Sequence, residues 1–187
     1  MLEPILVPLI LLSDLSSSWF WSENTNPLVH PTLVKLKERS VQRYAAVDDG
    51  DLAGYMDGVD QNIEFVAFWD GKVWVSASGF DQYFGWTQGF IESLKNAVND
   101  KKHEIDPSVV YTLLPDGSVK ISLNYKYYER PKQDTNGPWL HTHSGDCQCY
   151  WRQEAKKSLT EVKNWSLYKY ICTVEEAHED FMKYKPE

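Results

Sequence analysis

The order of hydrophobic periods along this 187-residue chain predicts an α+β domain: three helices packed in a curved antiparallel sheet that leaves a cone open at one end. Three observations lead there. Helical spacing dominates the first half and is interrupted by a single hairpin, whereas long alternating stretches fill the second half. No strand–helix–strand alternation occurs of the kind that builds a parallel sheet. The length suits one domain with a sizeable core, and no repeat or low-complexity linker divides it.

Residues 1–30 read as an N-terminal arm and residues 31–187 as the domain. Residues 4–12 are almost wholly apolar, but a bilayer span takes about 20 residues. Glu3 stands where a secretory signal would carry basic residues, and no small-x-small cleavage site follows. The arm is expected to pack on the domain or on a second subunit, with secretion as the alternative.

From Pro31, a suitable first-turn residue, Leu33, Leu36, Val41, Tyr44 and Val47 recur at helical steps up to Gly50. Asp51 then caps a short helix over 52–59. Residues 63–68 and 72–76 form a hairpin around Asp70-Gly71, a pair that tolerates the positive φ of a tight turn. A third helix covers 80–99. A meander follows, with strands at 104–114, 119–128, 139–152 and 165–174, and an acidic helix at 175–184. Over 119–128, Val119, Ile121, Leu123, Tyr125 and Tyr127 alternate with polar residues, as in a half-buried strand.

The net charge of −8 argues against nucleic acid as a partner, since phosphate binding needs a concentrated basic face. Aromatic residues make up 14% of the chain, which suits either a pocket for an aromatic or polycyclic small molecule or an aromatic core or interface. Three cysteines do not make an even framework and predict a reduced, cytoplasmic protein. A lone Asn164-Trp165-Ser166 sequon carries little weight.

Several residue types here can carry chemistry. His103 is either a general base or acid, titrating near neutrality, or a solvated strand start after Lys101 and Lys102. Asp48 either orients that imidazole or simply ends the first helix beside Asp49 and Asp51. Strand alternation separates Leu140, Thr142, Ser144, Asp146, Gln148 and Tyr150 from His141, His143, Cys147, Cys149 and Trp151. A metal reading of His141, His143, Cys147 and Cys149 would spread its ligands over more than about 20 Å of one strand, so no metal is expected.

The stretch from Val47-Asp48-Asp49-Gly50-Asp51-Leu52 to Ile63-Glu64-Phe65 and Gly71-Lys72-Val73-Trp74 resembles the helix turn and hairpin of scytalone dehydratases. His103, the run from His141 to Asp146, and Cys149-Tyr150-Trp151 extend this resemblance over residues 32–184. Val41-Gln42-Arg43-Tyr44 with Gly50-Asp51-Leu52 is similar to ketosteroid isomerases and SnoaL-like cyclases. All share the NTF2-like cone. The resemblance implies acid/base chemistry without cofactor on a polyketide- or terpenoid-like molecule, as a dehydratase, isomerase or cyclase. The alternative is a non-catalytic ligand-binding or dimerisation module. It places Asp48 and His103 at catalytic positions and Ser144 and Asp146 toward the pocket, where Ser144 would donate to a carbonyl oxygen. His141 and His143 would then point away. Phe65, Tyr44, Tyr127 and Glu129 are implied as further substrate contacts. Departures are clear: Val47 and Phe65 stand at catalytic tyrosine positions, the second histidine falls near Tyr128 or Glu129, and the isomerase carboxylate falls near Ala67. A homodimer or homotrimer is expected.

Overall fold

The computed structural model describes residues 31–154 and 162–177. The proposed arm, the loop at 155–161 and most of the acidic C-terminal helix lie outside the described residues. Helix α1 (Pro31–Asp49) is followed by α2 (Leu52–Met56), strands β1 (Val59–Trp69) and β2 (Lys72–Ser78), and α3 (Phe80–Lys95). Then come β3 (Asn99–Ile105), β4 (Val110–Leu113), β5 (Val119–Pro131), β6 (Leu140–Gln153) and β7 (Trp165–Glu176). No described helix is long and apolar enough to cross a membrane.

The seven strands form one curved, unclosed sheet in the order β2-β1-β7-β6-β5-β3, with β4 pairing a second stretch of β5. All pairs are antiparallel except β1 with β7, which run parallel. This corrects the expectation of a purely antiparallel sheet. Register shifts interrupt β1/β2 at Ala67/Phe68, β5/β6 at Tyr127/Tyr128 and β6/β7 at Tyr150/Trp151. Such bulges bend strands and increase local twist.

Local chemistry accounts for most element boundaries. The Asp51 side chain accepts from the Gly54 amide at 3.0 Å and caps α2. That helix stops at Met56, short of the expected 59, because Gly58 takes a left-handed φ of 68° and turns the chain into β1. Asp70 and Gly71 both have positive φ, as the hairpin turn requires. The third helix ends at Lys95, and residues 99–105 pair with β5. The strand expected at 104–114 breaks in two: Pro107 has no amide to donate, and Asp106 accepts from the Ser108 amide at 2.8 Å. Glu175 and Glu176 belong to β7, not to a helix.

The core lies between the helices and the concave face of the sheet. Leu33 and Leu36 of α1, Ile63 of β1, Val119, Ile121 and Leu123 of β5, and Trp151 and Trp165 are fully buried. The Trp151 indole N–H donates to Ser40 Oγ at 2.9 Å, and Ser40 donates onward to the Leu36 carbonyl. The buried stripe of α1 thus runs through Ser40 and Arg43, with Val41 only partly covered. Cys147 and Cys172, direct partners across β6 and β7 with Cα atoms 4.2 Å apart, are disulfide-bonded. This corrects the expectation of a fully reduced chain. A pairing between strands 25 residues apart cannot be read from an odd cysteine count. Cys149 is free and buried.

Candidate functional site

Asp48 sits in the last turn of α1, where that helix meets β3. Its Oδ2 accepts from the His103 backbone amide at 2.7 Å, and its Oδ1 lies 2.6 Å from His103 Nδ1. An ionised carboxylate can only accept, so Nδ1 carries the hydrogen and Nε2 of the neutral ring keeps its lone pair. The His103 side chain is 8% exposed and that of Asp48 19%, so the contact is largely screened from water. The two residues, 55 apart in sequence, form an oriented carboxylate–imidazole pair.

Three tyrosines surround the imidazole, with ring centroids at 5.3 Å for Tyr44, 5.0 Å for Tyr125 and 4.9 Å for Tyr127. Register explains part of this grouping. His103 of β3 is directly opposite Tyr127 of β5, which is directly opposite His143 of β6. Three neighbouring strands therefore present a histidine–tyrosine–histidine row to the inside of the cone. Tyr127 and His143 stack at 4.4 Å with planes 22° apart. Burial, together with the imidazoles of His103 and His141, pushes the His143 pKa down to about 4, so this ring is neutral near pH 7. Burial and the Glu129 and Asp48 carboxylates push the Tyr127 hydroxyl upward, keeping it protonated as a donor.

These groups line a cavity of about 290 Å³. Its remaining wall is aromatic and aliphatic: Phe65, Trp69 and Trp74 from the first hairpin, Trp86 and Phe90 from α3, and Tyr170 with Cys172 from β7. Tyr44, Val47, Tyr55 and Glu129 also line it, with Ala67, Leu94 and Val174. Glu129 accepts from Asn99 Nδ2 at 2.8 Å. Tyr44 and Tyr170 join hydroxyl to hydroxyl at 2.9 Å. Gly145 has a spatial role, since a Cβ there would collide with the hydroxyl end of the Tyr125 ring.

His103, Asp48, Tyr44, Phe65, Tyr127 and Glu129 thus come together, while Ser144 and Asp146 do not. Those two line a separate hollow of about 450 Å³ on the other face of the sheet, with Glu104, Asp106, Asn124 and Lys126. The face expected to hold the pocket is the outer one. Cys147, Cys149 and Trp151, each 0% exposed, point inward, so the even-numbered side chains beside them point out. Ser144 is held there by His141, whose Nε2 lies 2.9 Å from its Oγ. The shared face expected for His141 and His143 is also corrected. Tyr127 faces His143 but Tyr128 faces His141, so the bulge at Thr142 sends the two rings to opposite faces. With Cys147 in a disulfide, the His141/His143/Cys147/Cys149 metal set is not assembled. No other group of three or more potential ligands clusters among the described residues.

Sequence reasoning missed His143, Tyr55 and the tryptophans at 69, 74 and 86. His143 shares the inward face of Cys147, Cys149 and Trp151, and nothing local in the sequence says which face of β6 turns inward, whereas the excess of tryptophan already pointed to an aromatic wall.

No protein-family model matches the chain, and no curated protein matches its sequence. Solved structures do match. An NTF2-like protein with a cystatin-like fold from Novosphingobium aromaticivorans superposes with a TM-score of 0.56 at 12% identity, covering 76% of this chain and 80% of that one. A Catenulispora acidiphila protein solved in complex with S-DNPA gives 0.55 at 12% identity, over 80% and 96% of the two chains. The CaMKII hub of S. rosetta gives 0.51 at 17% identity, over 75% and 92%. At such identities the likeness concerns architecture: helices first, one hairpin between them, then a curved meander around a hollow. This chain has the NTF2-like fold.

Proposed function

We propose that the protein is an enzyme that moves protons on a small aromatic or polycyclic molecule held in the cone, in a dehydration, isomerisation or cyclisation. The Asp48–His103 pair carries this reading: a carboxylate fixes the imidazole tautomer, and the ring lines an aromatic cavity. In the reaction, His103 Nε2 takes a proton from a carbon next to a carbonyl. The C–H electron pair becomes a C=C bond, and charge moves onto the carbonyl oxygen. The imidazolium, stabilised by Asp48, returns the proton to another carbon or to a departing hydroxyl. Phe65, Tyr44, Tyr127 and Glu129 shape the site around the substrate, and His143, neutral, adds a hydrogen-bonding edge to the wall. The Catenulispora protein of this fold, solved in complex with S-DNPA, lends support to a ligand in the hollow.

Carbon acidity can be tested without knowing the natural substrate. In D2O, the protein should speed deuterium exchange beside the carbonyl of 2-tetralone, followed by NMR. His103→Ala should lower that rate at least about 100-fold, the low end for general acid–base catalysis. An unchanged rate would remove His103 from the chemistry.

A second reading, a self-assembling module, is favoured by Val73 and Trp74, exposed on the edge strand β2, and by the hub structure that shares the fold. Sedimentation analysis distinguishes a monomer from the homodimer or homotrimer this reading requires.

A further inference from the structure

Arg43 is 2% exposed on the core face of α1, and no carboxylate pairs with it among the described residues. Its guanidinium lies 5.6 Å from the Tyr170 ring centroid, but three routes direct its charge at Tyr55. Arg43 Nη1 donates to the Tyr55 backbone carbonyl. The guanidinium lies over the Tyr55 ring, 4.1 Å from its centroid. Arg43 Nη2 also donates to the Tyr83 hydroxyl at 2.8 Å, and Tyr83 donates to the Tyr55 hydroxyl at 2.9 Å.

The direction of this relay is fixed by chemistry. A guanidinium has donors only, so the Tyr83 oxygen must accept from it and pass its own hydrogen to Tyr55. The Tyr55 oxygen is then occupied as an acceptor, and its hydrogen remains to be given. Among the described residues no acceptor takes it, yet Tyr55 is 7% exposed and lines the cavity. A buried donor left without a partner is costly, so an acceptor inside the cavity is favoured. Chained donors polarise one another, and the cation at the head of this chain strengthens its last O–H.

We infer that Tyr55 is the cavity's oxygen anchor, donating to a carbonyl or enolate oxygen of the ligand, with Arg43 and Tyr83 as residues that position and strengthen its O–H. This deepens the function proposed above, because it needs a ligand in the cavity, but it does not need His103 to move a proton. The anchor stands on the helical wall and His103 on the sheet wall. A ligand between them is therefore held by its oxygen at one end and presented to Nε2 elsewhere. Ligands with an acceptor oxygen on a compact mono- or bicyclic frame are selected over hydrocarbons of the same shape.

Binding tests this. The probes are 2-tetralone labelled with ¹³C at the carbonyl and tetralin, its oxygen-free counterpart. The wild-type protein should prefer 2-tetralone, and Tyr55→Phe should cut that preference about 10-fold with tetralin affinity unchanged. The infrared C=O band of bound 2-tetralone should lie at lower wavenumber in the wild type than in Tyr55→Phe. Tyr83→Phe should fall between, and the double variant should match Tyr55→Phe alone, because the relay acts only through Tyr55. Thermal melts check that each variant is folded. Equal C=O frequencies and equal preference in wild type and Tyr55→Phe would overturn the inference, as would a wild-type protein that does not bind 2-tetralone. His103→Ala should keep the binding and the shifted band while losing exchange, which separates failure of the anchor from failure of the proton transfer.

Discussion

His143 is held neutral by its place in the cavity wall, so acidification should cost the folded state more than the unfolded one. In the unfolded chain its imidazole titrates near 6.5, and in the fold near 4. Between these values the unfolded chain binds more protons, so falling pH favours unfolding. The stability tied to this residue is complete above pH 6.5 and is lost as pH falls toward 4. The full difference corresponds to about 3 kcal/mol, reduced by the partial access of solvent to the ring. At pH 5.0 the loss should be about 1–2 kcal/mol relative to pH 7.5. Urea unfolding followed by tryptophan fluorescence at both pH values measures it, in wild type and in His143→Gln. Carboxylates contribute to the slope of both proteins, so the quantity to compare is the wild-type loss minus the variant loss. A difference of zero would refute the argument that the cone excludes charge at this position.

Other expectations follow from contacts described above. Gly145→Ala would place a methyl against the Tyr125 ring, with Oη only 2.6 Å away; overpacking of this kind costs about 1–3 kcal/mol, and the melting temperature should drop by about 3–10 °C. Combining it with Tyr125→Ala should return part of that loss, and a strictly additive double variant would contradict the collision. Asp48→Asn keeps an acceptor for the His103 amide but no longer enforces the Nδ1–H tautomer, so the exchange rate should fall by about 10²- to 10⁴-fold; wild-type rates would show that the tautomer does not matter. Thiol titration should find one reactive cysteine in the denatured, non-reduced chain and three after reduction. In the native protein Cys149 should react slowly, being buried with its pKa pushed up to about 11, and fast labelling would contradict that burial.

Features governed by near neighbours were legible in sequence. Asp70-Gly71 announced its turn, Asp51 its cap, and the alternation from Val119 to Tyr127 its buried face, because each depends on residues within a few positions. Asp48 and His103 were also legible as residues able to do acid/base work, with Asp48 orienting the imidazole as one of two alternatives, and the contact between them is formed. What failed depended on distant partners. Which face of β6 turns inward is set by packing against α1, as Trp151 packs on Ser40. His143 therefore faces inward with Cys147, Ser144 and Asp146 face outward, and one extra residue at Thr142 puts His141 out of phase. Hydropathy counts Ser40 and Arg43 as surface residues, yet both are buried because Trp151, Tyr55 and Tyr83 satisfy them. The parallel placement of β7 beside β1 likewise has no local cue.

That placement has a consequence for how the protein is assembled. β7 lies between β1 and β6, joining the first hairpin to the meander, and it comes after them in the chain. Until residues 165–176 are in place, the sheet is two separate pieces, each with an unpaired inner edge. Tyr170, Cys172 and Val174, which close the cavity wall, arrive with the same strand. Pairing across such a sequence distance carries a large loop-closure cost, so sheet closure should be the slow step of folding. The ligand cavity and the finished fold would then appear in a single event, and a nascent chain lacking β7 would expose two sticky edges rather than a half-working site.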